Sequence, residues 1–301
     1  MAPPAAGGPP PLPSPSPALL SLPASIASLP GPLRLQLATE LRHAERLRDA
    51  LPPPRRRLAP PPLEARATLA YDEARFPLRA TLARTLALDP PLHRLHLALP
   101  AFSASRDAHR RVMAAKAALL RPLAEEGAEG AFAAAYEALV LEVLAPHLRA
   151  ALGAAEIHFA AAPTVRVQTP SAGRQLRAHC DGVYGVQEGA LNFWLPLTPV
   201  RAECALHVES APGARDYLPL LPEVGEVVRF NGRRCVHFTV PNTTNQTRVS
   251  IDFRCVIGEH FDPYNRLARE EYFSKARVTE DGSFVKVASG RISKLHGMPY
   301  S

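Results

Sequence analysis

Arg248-Val249-Ser250-Ile251-Asp252-Phe253-Arg254-Cys255-Val256 alternates along its length, with Arg248, Ser250, Asp252 and Arg254 on one face of an extended chain and Val249, Ile251, Phe253 and Cys255 on the other. A strand with one wholly polar and one wholly apolar face must cover the second against a core. The same texture runs back to Val165, and it yields candidate strands Val165–Thr169, Leu176–Asp181, Ala190–Leu197, Ala205–Glu209, Glu226–Phe230 and Cys235–Val240 between Gly and Pro turns. Seven short strands with hairpin-sized connections predict an α+β chain: an antiparallel sandwich or jelly roll with helices packed on one outer face.

Upstream, Ser103–Gly127 and Gly130–Leu152 are alanine-rich and carry apolar residues at helical spacing, as in Phe132, Tyr136, Leu139 and Val143. A shorter helical stretch spans 33–51, and the proline cluster Pro52–Pro62 around Arg55-Arg56-Arg57 reads as a linker. Residues 1–32 hold no charged side chain and much Pro, Ala, Gly and Ser, which predicts disorder. Residues 259–301 read as polar and irregular, a lid, arm or tail. The resulting division is 1–32, a disordered segment; 33–152, helical support and linker; 153–258, the jelly-roll core; and 259–301, an extension.

Composition narrows the function. The 301 residues are 47% apolar and 21% charged, without about 20 uninterrupted apolar residues, so no membrane role is expected. The net charge of +7 invites a nucleic-acid reading, but only 4 of the 35 basic residues are Lys and no basic cluster with interleaved aromatics occurs, so none is expected. Four cysteines without a Cys-x-x-Cys pair suit reduced thiols in a cytoplasmic protein. An organelle address carried by residues 1–32 is the alternative.

The chemistry starts at His179-Cys180-Asp181. On a strand, His179 and Asp181 share a face, and a second imidazole from a neighbouring strand would complete a two-His, one-carboxylate metal site with open positions. Alone, His-x-Asp also suits an ordinary strand end. His237, on a later strand, is the candidate third ligand. Eleven residues beyond it stand Arg248 and then Ser250, whose guanidinium and hydroxyl suit a carboxylate; a structural Arg248–Asp252 or Arg248–Glu pair is the competing reading. Asp252 and Arg254 are expected to pair with each other or reach solvent. Asn192 and Arg166 lie on strands flanking the cavity and could touch a co-substrate. Trp194 reads as core, and Tyr184 as either site mouth or packing.

The order His179-x-Asp181, His237, Arg248-x-Ser250 resembles the iron(II)/2-oxoglutarate-dependent dioxygenases, whose fold is a double-stranded β-helix of the cupin-like jelly-roll kind. Tyr184-Gly185, Asn192-Phe193-Trp194-Leu195-Pro196-Leu197-Thr198, Glu209-Ser210, Pro212-Gly213 and Arg229-Phe230-Asn231-Gly232 resemble a bacterial subgroup found with streptomycin-type biosynthesis, more distantly phytanoyl-CoA hydroxylases. The resemblance covers about Val165–Val256. It implies Fe(II) on His179, Asp181 and His237, 2-oxoglutarate on Arg248 and Ser250, O2 as oxidant, and a small-molecule substrate that is hydroxylated or otherwise oxidised as succinate and CO2 leave. The carboxylate at Asp181 argues against halogenation. A non-catalytic jelly roll that binds a sugar or peptide is the second reading; a metal-dependent cupin-type isomerase leaves Arg248 and Ser250 unexplained. Substrate identity and oligomeric state are open.

Overall fold

The polar-and-apolar strand Arg248–Ile257 (β9) lies at the centre of the larger of two antiparallel sheets in the computed structural model, which describes residues 23–53, 66–89, 91–99, 106–171, 173 and 176–291. Its neighbours are Ala67–Ala70 (β1), Glu156–Ala160 (β2), Thr164–Gln168 (β3), Ala190–Pro196 (β4), Glu226–Phe230 (β7), Phe273–Val278 (β10) and Phe284–Ala288 (β11), in the order β1-β7-β4-β9-β2-β10-β11 with β3 also on β9. The smaller sheet runs Leu218–Pro219 (β6), Leu206–Val208 (β5), His237–Thr239 (β8).

The apolar rows do what alternation demands. Leu191, Phe193, Leu195, Val249, Ile251, Phe253 and Cys255 are buried in one cluster with residues of the helices Leu78–Thr85, Ala131–Leu139 and Ala145–Leu152. Each such side chain contributes about 1.5–3 kcal/mol by leaving water. Tyr136 packs edge-on against Phe253 with ring centroids 4.9 Å apart, and its hydroxyl donates to the Ala160 carbonyl at 2.8 Å. Trp194, Val228 and Phe230, from the other face of the large sheet, form an inter-sheet core with Leu206, Val208 and Cys235. Two layers with helices on the large sheet's outer face make the jelly roll expected from the strand pattern. All four cysteines are free and buried.

Several expectations need correction. Residues 23–32 are ordered: Ala24–Ala27 is a helical turn, the next helix already begins at Gly31 and runs to Asp49, and Ile26 and Leu29 are buried against Leu37, Leu41, Val236, Phe238 and Val240. An uncharged segment finds burial because the outer face of the small sheet is apolar and uncovered without it. Helices therefore cover both sheets. Residues 1–22, and most of the Pro52–Pro62 linker, lie outside the described residues.

The stretch 259–301 is not wholly irregular, since β10 pairs with β2 and β11 with β10, burying Phe273, Ala276 and Phe284. Residues 292–301 lie outside the described ones. Leu176–Asp181 makes an isolated bridge, His179 to His237, instead of a strand, because Asp181 and Gly182 turn away to donate to the carbonyls of Gly232 and Arg233 and enter the 3-10 turn Asp181–Tyr184. Ala131–Leu152 is long and apolar enough to cross a membrane by length and composition alone. Its buried Phe132, Tyr136, Leu139 and Leu148 pack on the large sheet, and a π-turn at Val140–Leu144 interrupts it ahead of Pro146, which has no N–H to give a regular turn.

Candidate metal centre

Three elements bring His179, Asp181 and His237 together. The bridge between the His179 and His237 backbones, with N–H to carbonyl distances of 3.1 and 2.8 Å, places the two imidazoles side by side, ring centroids 4.3 Å apart. The turn that ends the bridge swings Asp181 beneath both: its Oδ1 lies 3.5 Å from His179 Nε2 and 3.7 Å from His237 Nε2. The three donor atoms lie within 4.8 Å of one another, and donors about 2.1 Å from a shared ion stand roughly 3.0–3.5 Å apart, so the set reaches one divalent metal once the imidazoles close in by about 1 Å.

The surroundings set the donor atoms. Each imidazole donates its Nδ1–H to a carbonyl two residues back, His179 to Arg177 at 2.8 Å and His237 to Cys235 at 3.0 Å, which leaves the Nε2 lone pairs facing Asp181. Burial, reinforced by the neighbouring His179, pulls His237 down to about 4 and keeps it neutral at physiological pH. Burial alone would raise the Asp181 carboxyl, but the charge of Arg254 beside it holds it well below the usual carboxylate range. A neutral imidazole and an anionic carboxylate are the protonation states that bind metal. Tyr184, about half exposed, places its ring against His179 at 5.5 Å, so it stands at the mouth.

Further along the polar row of β9, Arg248 is buried and its guanidinium bonds only neutral groups among the described residues: Gln168 Oε1 and Ser250 Oγ, both at 2.6 Å, and the Cys204 carbonyl at 3.1 Å. No Arg248–Asp252 or Arg248–Glu pair forms among the described residues. Burial pulls its pKa down to about 10, still charged at neutral pH. Trp194 is core, as expected, and also lies under this guanidinium, 5.7 Å from it to the ring centre. Lys116, on the helix Arg106–Glu126, is buried too; burial together with the fields of Arg248 and Arg166 lowers it to about 8, and its ammonium donates to the Val167 carbonyl. Lys116 and Arg248 thus place two cations within one buried region.

The other candidates are placed differently. Arg166 lies opposite Ser250 in register but is committed to Asp252, at 2.6 and 3.2 Å, which leaves Asp252 unavailable to Arg254. Arg254 bonds Asp181 Oδ2 instead, at 2.7 and 3.0 Å, correcting the expected Asp252–Arg254 pair. Asn192 donates to the same Oδ2 at 2.8 Å, so it contacts a metal-ligand candidate. His96, His147, His158 and His207 hold Thr247, Arg229, Glu156 and Ser25. Asn242 is buried and donates to the carbonyls of Gln168 and Gln246, a structural use. Sequence reasoning missed Lys116 and the Arg254–Asp181 pair. A lone lysine inside the apolar helix of an arginine-rich chain was the available signal for Lys116; for Arg254 there was none.

No family model matches the chain. Over 104 residues, 35% of this chain and 49% of the relative, it is 31% identical to the streptomycin biosynthesis protein StrG of Streptomyces griseus. The chain thus spans about half the length of that curated relative. Among solved structures it is similar to a non-heme monooxygenase, the ThoJ–Ni complex, at 15% identity and a TM-score of 0.43, covering 80% of this chain and 87% of that one. It is also similar to SnoK, a non-heme α-ketoglutarate-dependent carbocyclase from nogalamycin biosynthesis, at 14% identity and a TM-score of 0.39, covering 78% and 87%. Those solved structures to which the chain is similar are of non-heme, in SnoK's case α-ketoglutarate-dependent, enzymes.

Proposed function

We propose that the chain is an Fe(II)- and 2-oxoglutarate-dependent dioxygenase that oxidises a small molecule. The observation that carries this reading is the pairing, in one sandwich, of a buried His179–Asp181–His237 constellation with a buried Arg248 whose hydrogen-bond partners are all neutral. A guanidinium so buried is costly without an anion, and a dicarboxylate supplies one. A metal-holding binding module explains the triad and leaves Arg248 without a purpose.

Iron(II) at the triad, with 2-oxoglutarate and O2, supplies the oxidising power and accounts for succinate and CO2 as co-products. The protein's part is binding and orientation. His179, Asp181 and His237 would occupy three neighbouring positions and leave the others open. Arg248 and Ser250 would grip the distal carboxylate, Lys116 would add positive charge beside it, and Trp194 would hold the guanidinium in plane. Tyr184 at the mouth would meet the substrate. The named sequence relative, a streptomycin biosynthesis protein, supports a small molecule over a macromolecule. Succinate formation by the iron-loaded protein, screened across a metabolite panel with 2-oxoglutarate, tests the proposal: substrate-dependent succinate supports it, and ligand binding indifferent to 2-oxoglutarate would favour the binding module.

A further inference from the structure

The Asp181 carboxylate is held asymmetrically. Its Oδ1 faces both imidazoles, while Oδ2 accepts three hydrogen bonds: from Arg254 Nη2 at 2.7 Å, Arg254 Nε at 3.0 Å and Asn192 Nδ2 at 2.8 Å. A carboxylate oxygen offers two lone-pair directions in plane, so three donors leave Oδ2 nothing to give a metal. Asp181 is only 3% exposed.

The donors are built into the sheet. Asn192 on β4 and Arg254 on β9 stand opposite each other in register, on the inner face. The Asn192 amide can orient only one way, since Oδ2 accepts and does not donate. It fits because position 232 is glycine: a Cβ there would lie 2.5–2.6 Å from the Asn192 side-chain amide atoms. The same Gly232 offers its carbonyl to the Asp181 N–H at 2.8 Å, so one loop fixes both the backbone of the carboxylate and the space for its clamp.

We propose that Arg254 and Asn192 are positioning residues that lock Asp181 as a one-oxygen ligand, turning Oδ1 toward the two histidines and keeping the remaining coordination positions free for co-substrate and oxygen. The inference rests on the metal-site reading above and adds to it two residues assigned there to neither metal nor co-substrate. Without the clamp Asp181 is free to rotate or to bind through both oxygens, which costs metal affinity and blocks a position.

Co(II) alone is the probe, titrated into the full chain by calorimetry and by visible absorption, whose intensity rises as coordination number falls. Arg254→Gln is expected to weaken Co(II) binding about 10- to 100-fold, and Asn192→Leu about 10-fold, the range found for groups that orient metal ligands. Arg254→Lys, which returns the charge on one nitrogen without the planar fork, is expected to recover part of the loss. Thermal melts of the metal-free variants identify the folded ones. A purely structural role for Arg254 predicts lower melting with unchanged Co(II) affinity and spectrum, and binding within threefold of wild type in both folded variants overturns the proposal. If Arg254→Gln does not fold, Asn192→Leu decides by the same criterion. Wild type that binds no Co(II) refutes the metal reading itself; wild type that binds beside indifferent variants refutes only the clamp.

Discussion

Glu209 is fully buried beside the strand that carries His237, and its carboxylate is the hub of four contacts. Arg48 Nη1 donates to both oxygens at 2.8 and 2.9 Å, the Val236 N–H at 2.7 Å and the Arg215 N–H at 3.1 Å. Arg48 is 5% exposed, so this pair ties the helix Gly31–Asp49 to the small sheet without solvent screening. Glu209→Gln keeps the shape, removes the charge and turns an amide N–H toward a donor. It leaves the Arg48 guanidinium buried with only the exposed Asp49 as counter-charge. Breaking a buried pair from one side costs about 3–5 kcal/mol. At about 2 °C per kcal/mol for a chain of this size, the melting midpoint should fall by roughly 6–10 °C. Because Val236 precedes His237, the same variant should bind Co(II) more weakly. Replacing both partners, Arg48→Met with Glu209→Leu, removes the uncompensated charge and should cost less than the sum of the single changes. Thermal unfolding of wild type, Glu209→Gln, Arg48→Met, Glu209→Leu and the double variant measures this. A Glu209→Gln midpoint within about 2 °C of wild type, or strict additivity in the cycle, refutes the reasoning.

His207, fully buried with Nε2 bonded to Ser25 Oγ at 2.8 Å, is lowered by burial to about 4, so the unfolded chain takes up its proton first as pH falls. Its contribution should be complete above about pH 6.5 and erode toward pH 4 by up to about 3 kcal/mol, a slope that His207→Gln should remove from urea-unfolding curves. Arg248→Leu should weaken 2-oxoglutarate binding to the metal-loaded protein roughly 10- to 150-fold, with Arg248→Lys between it and wild type and Co(II) affinity unchanged, as calorimetry would read. Gly232→Ala should force the Asn192 amide away, lower stability by about 1–3 kcal/mol and weaken Co(II) binding; unchanged values for both would mean that the loop yields.

What the sequence shows of this molecule follows from periodicity and chemistry that are local. The alternation of Arg248–Val256 appears as a strand with a polar inner row and an apolar outer one, and the triad converges although its first two members sit on a bridge and a turn instead of a strand. Partner choice within the polar row was not legible. Arg166, Asp252, Arg254 and Asp181 are four charges whose pairing depends on which of them face one another across two strands and a turn, a property of register and of where the chain turns away. Likewise, the Ala24–Ala27 turn and strands β10 and β11 are too short to announce themselves. They are ordered by surfaces supplied elsewhere, Val236 and Phe238 for the first and β2 for the others. Lys116 was hidden because a buried cation inside an alanine-rich helix contradicts the amphipathic pattern by which the helix is recognised.

An anaerobic titration of the purified full chain with Fe(II) and 2-oxoglutarate tests the central claim most directly. A weak visible charge-transfer absorption that saturates at one equivalent of each, and is lost in His179→Ala, is the predicted result. No such absorption in wild type, with no iron retained on gel filtration, would contradict the account.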